Sequence, residues 1–189
     1  SLPHKKEDIR GSRRSFSITS TPDSKTISLG IKFYDPSSSF KSALRTLPLN
    51  SPIQSTGITG DFVLPKDRTE KLLFIAGGIG ITPFISHILS IAKENRDVTL
   101  LYFVRTPEEA AYRDILDISS VDVHYFVADK EDEIFSKATQ LTERLLQDKV
   151  TRLRERHAYI SGPPAMVAAA KKLVKGRVAR IHTDYFSGY

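Results

Sequence analysis

From Lys71 onward, short runs of apolar and β-branched residues alternate with longer amphipathic stretches. The runs are Lys71–Ala76, Val98–Val104, Val121–Val127, His157–Ser161 and Val178–Ile181. The stretches between them, Pro83–Glu94, Pro107–Ile118, Leu141–Arg154 and Pro164–Lys175, carry helical spacing. Unbroken apolar runs suit strands buried on both faces, and their alternation with helices predicts an α/β domain with a five-stranded parallel sheet. Punctuation agrees: Thr82-Pro83 offers an N-cap and a first-turn proline, and Gly176 stands where a helix C′ residue belongs. Residues 1–66 have another texture, rich in Ser, Thr and Pro. Ser15–Thr19 and Thr26–Phe33 alternate with period two, which suits antiparallel strands, and Ser39–Leu47 fits one short helix. A boundary is expected near Pro65–Thr69, dividing the chain into 1–66 and 67–189.

Composition narrows the chemistry. The 189 residues are 40% hydrophobic and 26% charged, enough for one large core or two small ones. No apolar run approaches the length of a membrane span, and Ser1–Arg10 is too polar for a signal peptide. With no cysteine, disulfides, thiolate catalysis and a cysteine-held iron–sulfur cluster on this chain are excluded. No His/Asp/Glu cluster has metal-ligand spacing, so no metal site is expected. The net charge of +6 suits an ordinary basic surface or an acidic partner. Nucleic acid is not expected, because the densest basic stretch, Arg152–Arg156, is interrupted by Glu155 and lies on a helical pattern.

The most informative segment is the turn after the first parallel strand, Gly77-Gly78-Ile79-Gly80-Ile81-Thr82-Pro83. Glycines in a strand-to-helix turn let backbone amides approach a pyrophosphate, whose charge the helix N-terminus then stabilises. Glycines also simply permit close strand–helix packing. The spacing departs from G-x-G-x-x-G, and no acidic residue ends the second strand, so a generic dinucleotide dehydrogenase fits poorly.

Phe74-Ile75-Ala76-Gly77-Gly78-Ile79-Gly80-Ile81-Thr82-Pro83 resembles the pyridine-nucleotide motif of the ferredoxin–NADP reductase family. Further matches follow in the family's order. Tyr159-Ile160-Ser161-Gly162-Pro163-Pro164-Ala165-Met166 resembles its later strand-to-helix turn beside the nicotinamide. Arg14-Ser15-Phe16-Ser17 resembles its Arg-x-Tyr/Phe-Ser flavin motif, and Gly60–Pro65 its barrel-closing strand. Ser38–Leu44 lies where the family places a short helix against the flavin pyrophosphate, with Ser38 and Lys41 in place of Gly-x-x-Ser. The chain opens at Ser1-Leu2-Pro3-His4, which is similar to the stretch after the barrel's first strands. The resemblance therefore implies a partial antiparallel FAD-binding β-barrel over 1–66, lacking its first strands, and an NAD(P)-binding α/β domain over 67–189.

The resemblance also implies roles. Arg14 would pair with the flavin pyrophosphate, Phe16 would pack on the flavin, and Ser17 would hydrogen-bond near its reactive nitrogen. Phe40, Lys41 and Ser42 would line the diphosphate. Gly78, Gly80, Ile81, Thr82, Pro83, Arg105, Gly162, Pro163 and Met166 would hold the nicotinamide dinucleotide. Phe186 and Tyr189 are candidates for an aromatic that covers the flavin and yields to nicotinamide. Lys130 sits among Asp129, Glu131 and Asp132, an acidic neighbourhood that disfavours a 2′-phosphate and points to NADH rather than NADPH. His157 and His182 read as structural.

The implied function is a flavin oxidoreductase module, with FAD and NAD(P)H as cofactors. It would pass hydride and then electrons to a protein carrier such as a ferredoxin-like, haem or iron–sulfur module. A cytoplasmic location is expected, or the cytoplasmic module of a membrane-anchored parent chain. The alternative is a non-catalytic nucleotide-binding or docking module of a larger electron-transfer protein.

Overall fold

A computed structural model describes residues 1–5, 7–128 and 132–185. Its centre is a six-stranded, all-parallel sheet in the order β4-β3-β2-β1-β5-β6. The strands are β1 (Lys71–Gly77), β2 (Val98–Val104), β3 (Asp122–Val127), β4 (Phe135–Lys137), β5 (Arg156–Gly162) and β6 (Arg180–Tyr185). All of β2 and β5 is buried, as is β1 beyond Lys71, which is why these segments are mostly apolar, with Thr99, Arg156, His157 and Ser161 as the buried polar exceptions. Helices α2 (Thr82–Ser90) and α3 (Arg113–Leu116) cover one face through Phe84, Ile85, Ile88 and Leu116. Helices α4 (Glu143–Lys149) and α5 (Pro164–Val174) cover the other through Leu146, Val167, Ala170 and Val174. The chain builds outward from β1 to β4, then crosses back to β5 on the far side of β1. That reversal opens a crevice at the carboxyl ends of β1 and β5, where doubly wound sheets bind ligands.

The parallel α/β domain matches the reading of the sequence, with corrections. The sheet has a sixth strand, because Phe135–Lys137 pairs with β3 although only Phe135 is apolar and buried. The helix expected over Pro107–Ile118 splits into a 3-10 turn, Pro107–Glu109, and α3. Tyr112 between them takes a left-handed φ of 63°. The helix expected over Leu141–Arg154 ends at Lys149, and Arg152 is again left-handed, at φ 53°. Thr82 is not an N-cap. A 3-10 turn over Gly78–Ile81 runs straight into α2, and the Thr82 hydroxyl donates to the Ile79 carbonyl. Gly176, at φ 74°, follows α5 as expected.

The partial barrel does not appear as a barrel. Among the described residues of 1–66 there are helix α1 (Ser39–Arg45) and one antiparallel bridge, between Ile18 and Leu29. Alternation prepares a segment for pairing but supplies no partner strand, and Ile27, Leu29, Phe33 and Ile58 remain exposed.

The connector 61–70 is fastened to the sheet domain at several points. Tyr159 donates its hydroxyl to the Val63 carbonyl at 2.7 Å, and His87 Nε2 donates to the Phe62 carbonyl at 3.0 Å. Buried Arg96 donates to the carbonyls of Pro65, Asp67 and Glu70. Burial pushes the His87 imidazole down to about 4, against a smaller upward pull from the Phe62 carbonyl. Because the folded value lies below the unfolded one near 6.5, the unfolded chain binds the extra proton. Stability should therefore fall as pH drops from about 6.5 towards 4, by about 1.4 kcal/mol per unit and roughly 3 kcal/mol in all. Urea unfolding at pH 7, 5.5 and 4.5 checks this against His87→Gln, which should lose that part of the slope.

Candidate functional site

A cleft of about 640 Å³ lies at the carboxyl edge of the sheet. One wall is the sheet domain: Gly77, Gly78 and Ile79 after β1, Phe103 to Arg105 at the end of β2, and Pro163, Pro164 and Met166 after β5. The other wall comes from the amino-terminal segment, with Arg10, Lys32, Tyr34, Pro36 to Ser38 and Lys41.

The glycines of the two turns do different work. A Cβ on Gly77 would stand 2.7 Å from Met166 Sδ, and one on Gly162 would stand 3.2 Å from Gly77 Cα. A Cβ on Gly80 would overlap the Ser161 carbonyl oxygen and lie 2.6 Å from Gly162 Cα. These three let the ends of β1 and β5 press together. Gly78 is the exception. Its φ is 52°, in the left-handed region, and a Cβ there would meet nothing within 4 Å. Gly78 is thus where the chain bares its backbone to the cleft, and Gly80 is internal. Ile81, Thr82 and Pro83 are buried behind the turn.

Arg10, Lys32, Lys41 and Arg105 make the cleft cationic, with Glu109 opposing. Lys32 Nζ pairs with Glu109 at 2.9 Å across the gap. Lys41 Nζ donates to the Lys32 carbonyl at 2.6 Å, and both ammonium groups lie over the Tyr34 ring, 5.2 and 5.4 Å from its centre. Burial, then the charge of Arg10, holds the Lys41 amine below its usual range. Arg105 is exposed at the end of β2, and no described residue forms an ion pair with its guanidinium. Such a set of cations and open backbone amides can hold an extended polyanion.

The remaining expected residues fall outside this wall. Arg14 and Phe16 share a side, as the alternation requires, and both meet Phe40. Arg14 pairs with Asp8 at 2.9 Å and donates to the carbonyls of Arg10 and Gly11. Desolvation raises Asp8, yet the backbone N–H of Arg10, the Ser39 hydroxyl and the two guanidinium groups outweigh it and hold the carboxyl at about 2. Phe40 is buried at the start of α1, Ser42 faces solvent on the same helix, and Ser17 is half-buried. Phe186, Tyr189 and Lys130 lie outside the described residues.

Sequence reasoning missed Arg10, Lys32 and Tyr34. Their one signal was a Lys-x-Tyr alternation within an extended run. It also missed Ser161, whose hydroxyl is fully buried at the end of β5 with no hydrogen-bond partner among the described residues. Asp184 stands opposite it in the β5–β6 register, and burial raises that carboxyl. His157 and His182, expected to be structural, both make packing contacts around β5 and β6. His157 pairs with Glu70 at 2.9 Å, and His182 stacks on Tyr159 at 4.3 Å. Among the described residues no cluster is arranged to hold a metal.

Comparison with known proteins follows the same lines. The chain is 37% identical over 114 residues to a carnitine monooxygenase reductase subunit of Escherichia coli, covering 58% of this chain and 31% of that protein. It is 27% identical over 179 residues to a flavohemoprotein of Pseudomonas putida, covering 90% of this chain and 45% of that one. The chain thus spans only 31% and 45% of the length of these two curated relatives. Its fold superposes on a mutant ferredoxin–NADP+ reductase of Plasmodium falciparum, in complex with 2′P-AMP, with a TM-score of 0.74 at 23% identity. That match covers 98% of this chain and 80% of the other. Residues 74–172 match the family model of the oxidoreductase NAD-binding domain. The glycine turn at the switch point, the cationic cleft beside it and this match agree: the chain belongs to the oxidoreductase NAD-binding domain family, with the fold of the ferredoxin–NADP reductases.

Proposed function

We propose that this chain is the nicotinamide-dinucleotide-binding part, with a portion of the flavin-binding part, of a reductase that delivers electrons from NAD(P)H to a protein acceptor through FAD. The observation that carries the reading is the cleft itself, where backbone bared at Gly78 faces a wall of lysines and arginines. The dinucleotide lies along Gly77–Ile79 with its pyrophosphate against the bared turn. Pro163 and Met166 border its nicotinamide end, and Arg105 its adenosine end. Residues 1–66 supply part of a flavin-binding barrel and 67–189 the nucleotide domain. Arg14, Phe16, Ser17 and α1 form the flavin side, and Phe186 and Tyr189 are the aromatic candidates over the ring. Bound FAD would supply hydride acceptance and one-electron release, and the residues of the two walls would align the two rings and keep water out. The matched relatives include a monooxygenase reductase subunit and a flavohemoprotein, which favours an oxygenase or a haem protein as the acceptor. This support lies with catalytic reductases and not with a docking module.

Gly78 provides the test, because it borders the cleft without packing against anything. Asn and Asp tolerate left-handed backbone, so Gly78→Asn and Gly78→Asp should fold. Asn crowds the turn, and Asp adds a negative charge facing the pyrophosphate. Titration of NADH and NADPH by nucleotide fluorescence should show at least about tenfold weaker binding for Gly78→Asp, with Gly78→Asn between it and the parent. Equal affinity in all three folded proteins would remove the turn from the binding site.

A further inference from the structure

Gly30 occupies a tight junction between the amino-terminal segment and the sheet domain. A Cβ built on it would overlap both Thr82 Cγ2 and the Tyr112 hydroxyl, with Tyr112 Cζ at 3.4 Å. Thr82 does not yield easily, because it is buried at the start of α2 with its hydroxyl committed to the Ile79 carbonyl. The second obstacle is the ring of Tyr112, half-buried just before α3. Thr82 directly follows the turn that lines one wall of the cleft, and Lys32 and Tyr34 of the other wall lie two and four residues beyond Gly30. The same junction holds a hydrogen bond from the Ser86 hydroxyl to the Ser20 carbonyl and the Lys32–Glu109 ion pair.

We propose that Gly30 is the spacer that sets the width of the nucleotide cleft: the missing side chain lets residues 28–34 seat directly on Thr82 and Tyr112. It is a positioning residue, since it acts on bound groups only through the wall it places. The inference rests on the proposed function for what the cleft holds, but not for the spacing itself. One methyl group at position 30 moves that wall outward. Lys32, Tyr34 and Lys41 then retreat from Gly78 and Arg105, and a dinucleotide no longer touches both sides.

The chain has no cysteine, so paired spin labels at Leu49→Cys and Ala169→Cys report the separation without background. Both positions are exposed, one beyond α1 and one on α5. In Gly30→Ala the label distance should lengthen by about 1 Å or more, the relief an overlapping methyl needs. Affinity for NADH or NADPH, whichever the parent binds, should fall roughly threefold to tenfold. Adding Thr82→Ser and Tyr112→Phe removes the atoms the methyl would strike and keeps the hydroxyl that serves Ile79. That triple variant should recover both readouts. An unchanged distance in folded Gly30→Ala overturns the proposal. So does a triple variant that stays as wide and as weak as the single one. A parent that binds neither coenzyme would instead refute the proposed function, while the distance still decides whether Gly30 is the spacer.

Discussion

Gly80→Val should lose about 3 kcal/mol of stability, seen as a marked drop in the urea midpoint, before any effect on nucleotide binding is measured. The obstacles to a side chain there are backbone atoms. The Ser161 carbonyl and Gly162 Cα belong to β5, which is locked between β1 and β6 by ladders on both sides. Neither can swing aside as the end of a lysine would, so the strain passes into the centre of the sheet. The sequence alone suggests Gly80 as the point of approach to a pyrophosphate. Its burial and packing make it a poor probe of binding, since a destabilised protein loses ligand for trivial reasons. The contrast with Gly78→Asn is the informative experiment: one glycine should report stability and the other affinity. Unfolding midpoints that fall equally in both would contradict the division of labour between these glycines.

Arg156→Met should cost about 3 kcal/mol or more. The guanidinium at the start of β5 is buried, pairs with Asp97 at 2.7 Å, and donates to the carbonyls of Leu72 and Thr151 at 2.9 and 2.8 Å. It therefore ties the amino ends of β1 and β5 to the loop before β2. Removal takes a donor from two carbonyls and leaves the Asp97 carboxylate with Lys71 at 3.3 Å as its remaining ion-pair partner among the described residues, and methionine replaces only the packing. Asp97 is partly open to water, which sets the loss at the lower end of what a buried pair commands. Asp97→Asn in the Arg156→Met background should then cost little further. Burial raises the Asp97 carboxyl, but Arg156 and Lys71 overcome this and lower it. Its contribution is thus present above the ordinary carboxylate range and fades as pH falls through the depressed value. A loss under about 1 kcal/mol in denaturant titrations would show that solvent replaces the pair.

What could be read in advance follows from how far each feature depends on remote partners. The strands β1, β2 and β5 were legible because burial on both faces favours a run of apolar residues, such as Leu72–Ala76, Leu100–Val104 and Ala158–Ile160. The strand β4 was not, since Phe135-Ser136-Lys137 offers one apolar side chain and owes its pairing to the free edge of β3. The break before α3 falls at Tyr112, with no glycine or proline to announce it. The alternation over Ser15–Thr19 and Thr26–Phe33 was real but found only the Ile18–Leu29 bridge. In the site, the glycine turn could be found because its residues are consecutive. Which glycine is bare and which is packed depends on β5, eighty residues later. Arg10, Lys32 and Lys41 meet only through the fold, so no local pattern marks them as one surface.

The connector from Asp61 to Glu70 has a mechanical meaning. Held by Tyr159, His87 and Arg96 along most of its length, it is a weld and not a joint. A pull on the amino-terminal segment is delivered to the middle strands of the sheet, not absorbed in a slack tether. Any rocking between the two walls of the cleft must pivot upstream of Asp61, around the contacts of Ser20, Gly30 and Lys32. The range of that motion is set by the few side chains at those contacts, and the link in the chain contributes almost nothing to it.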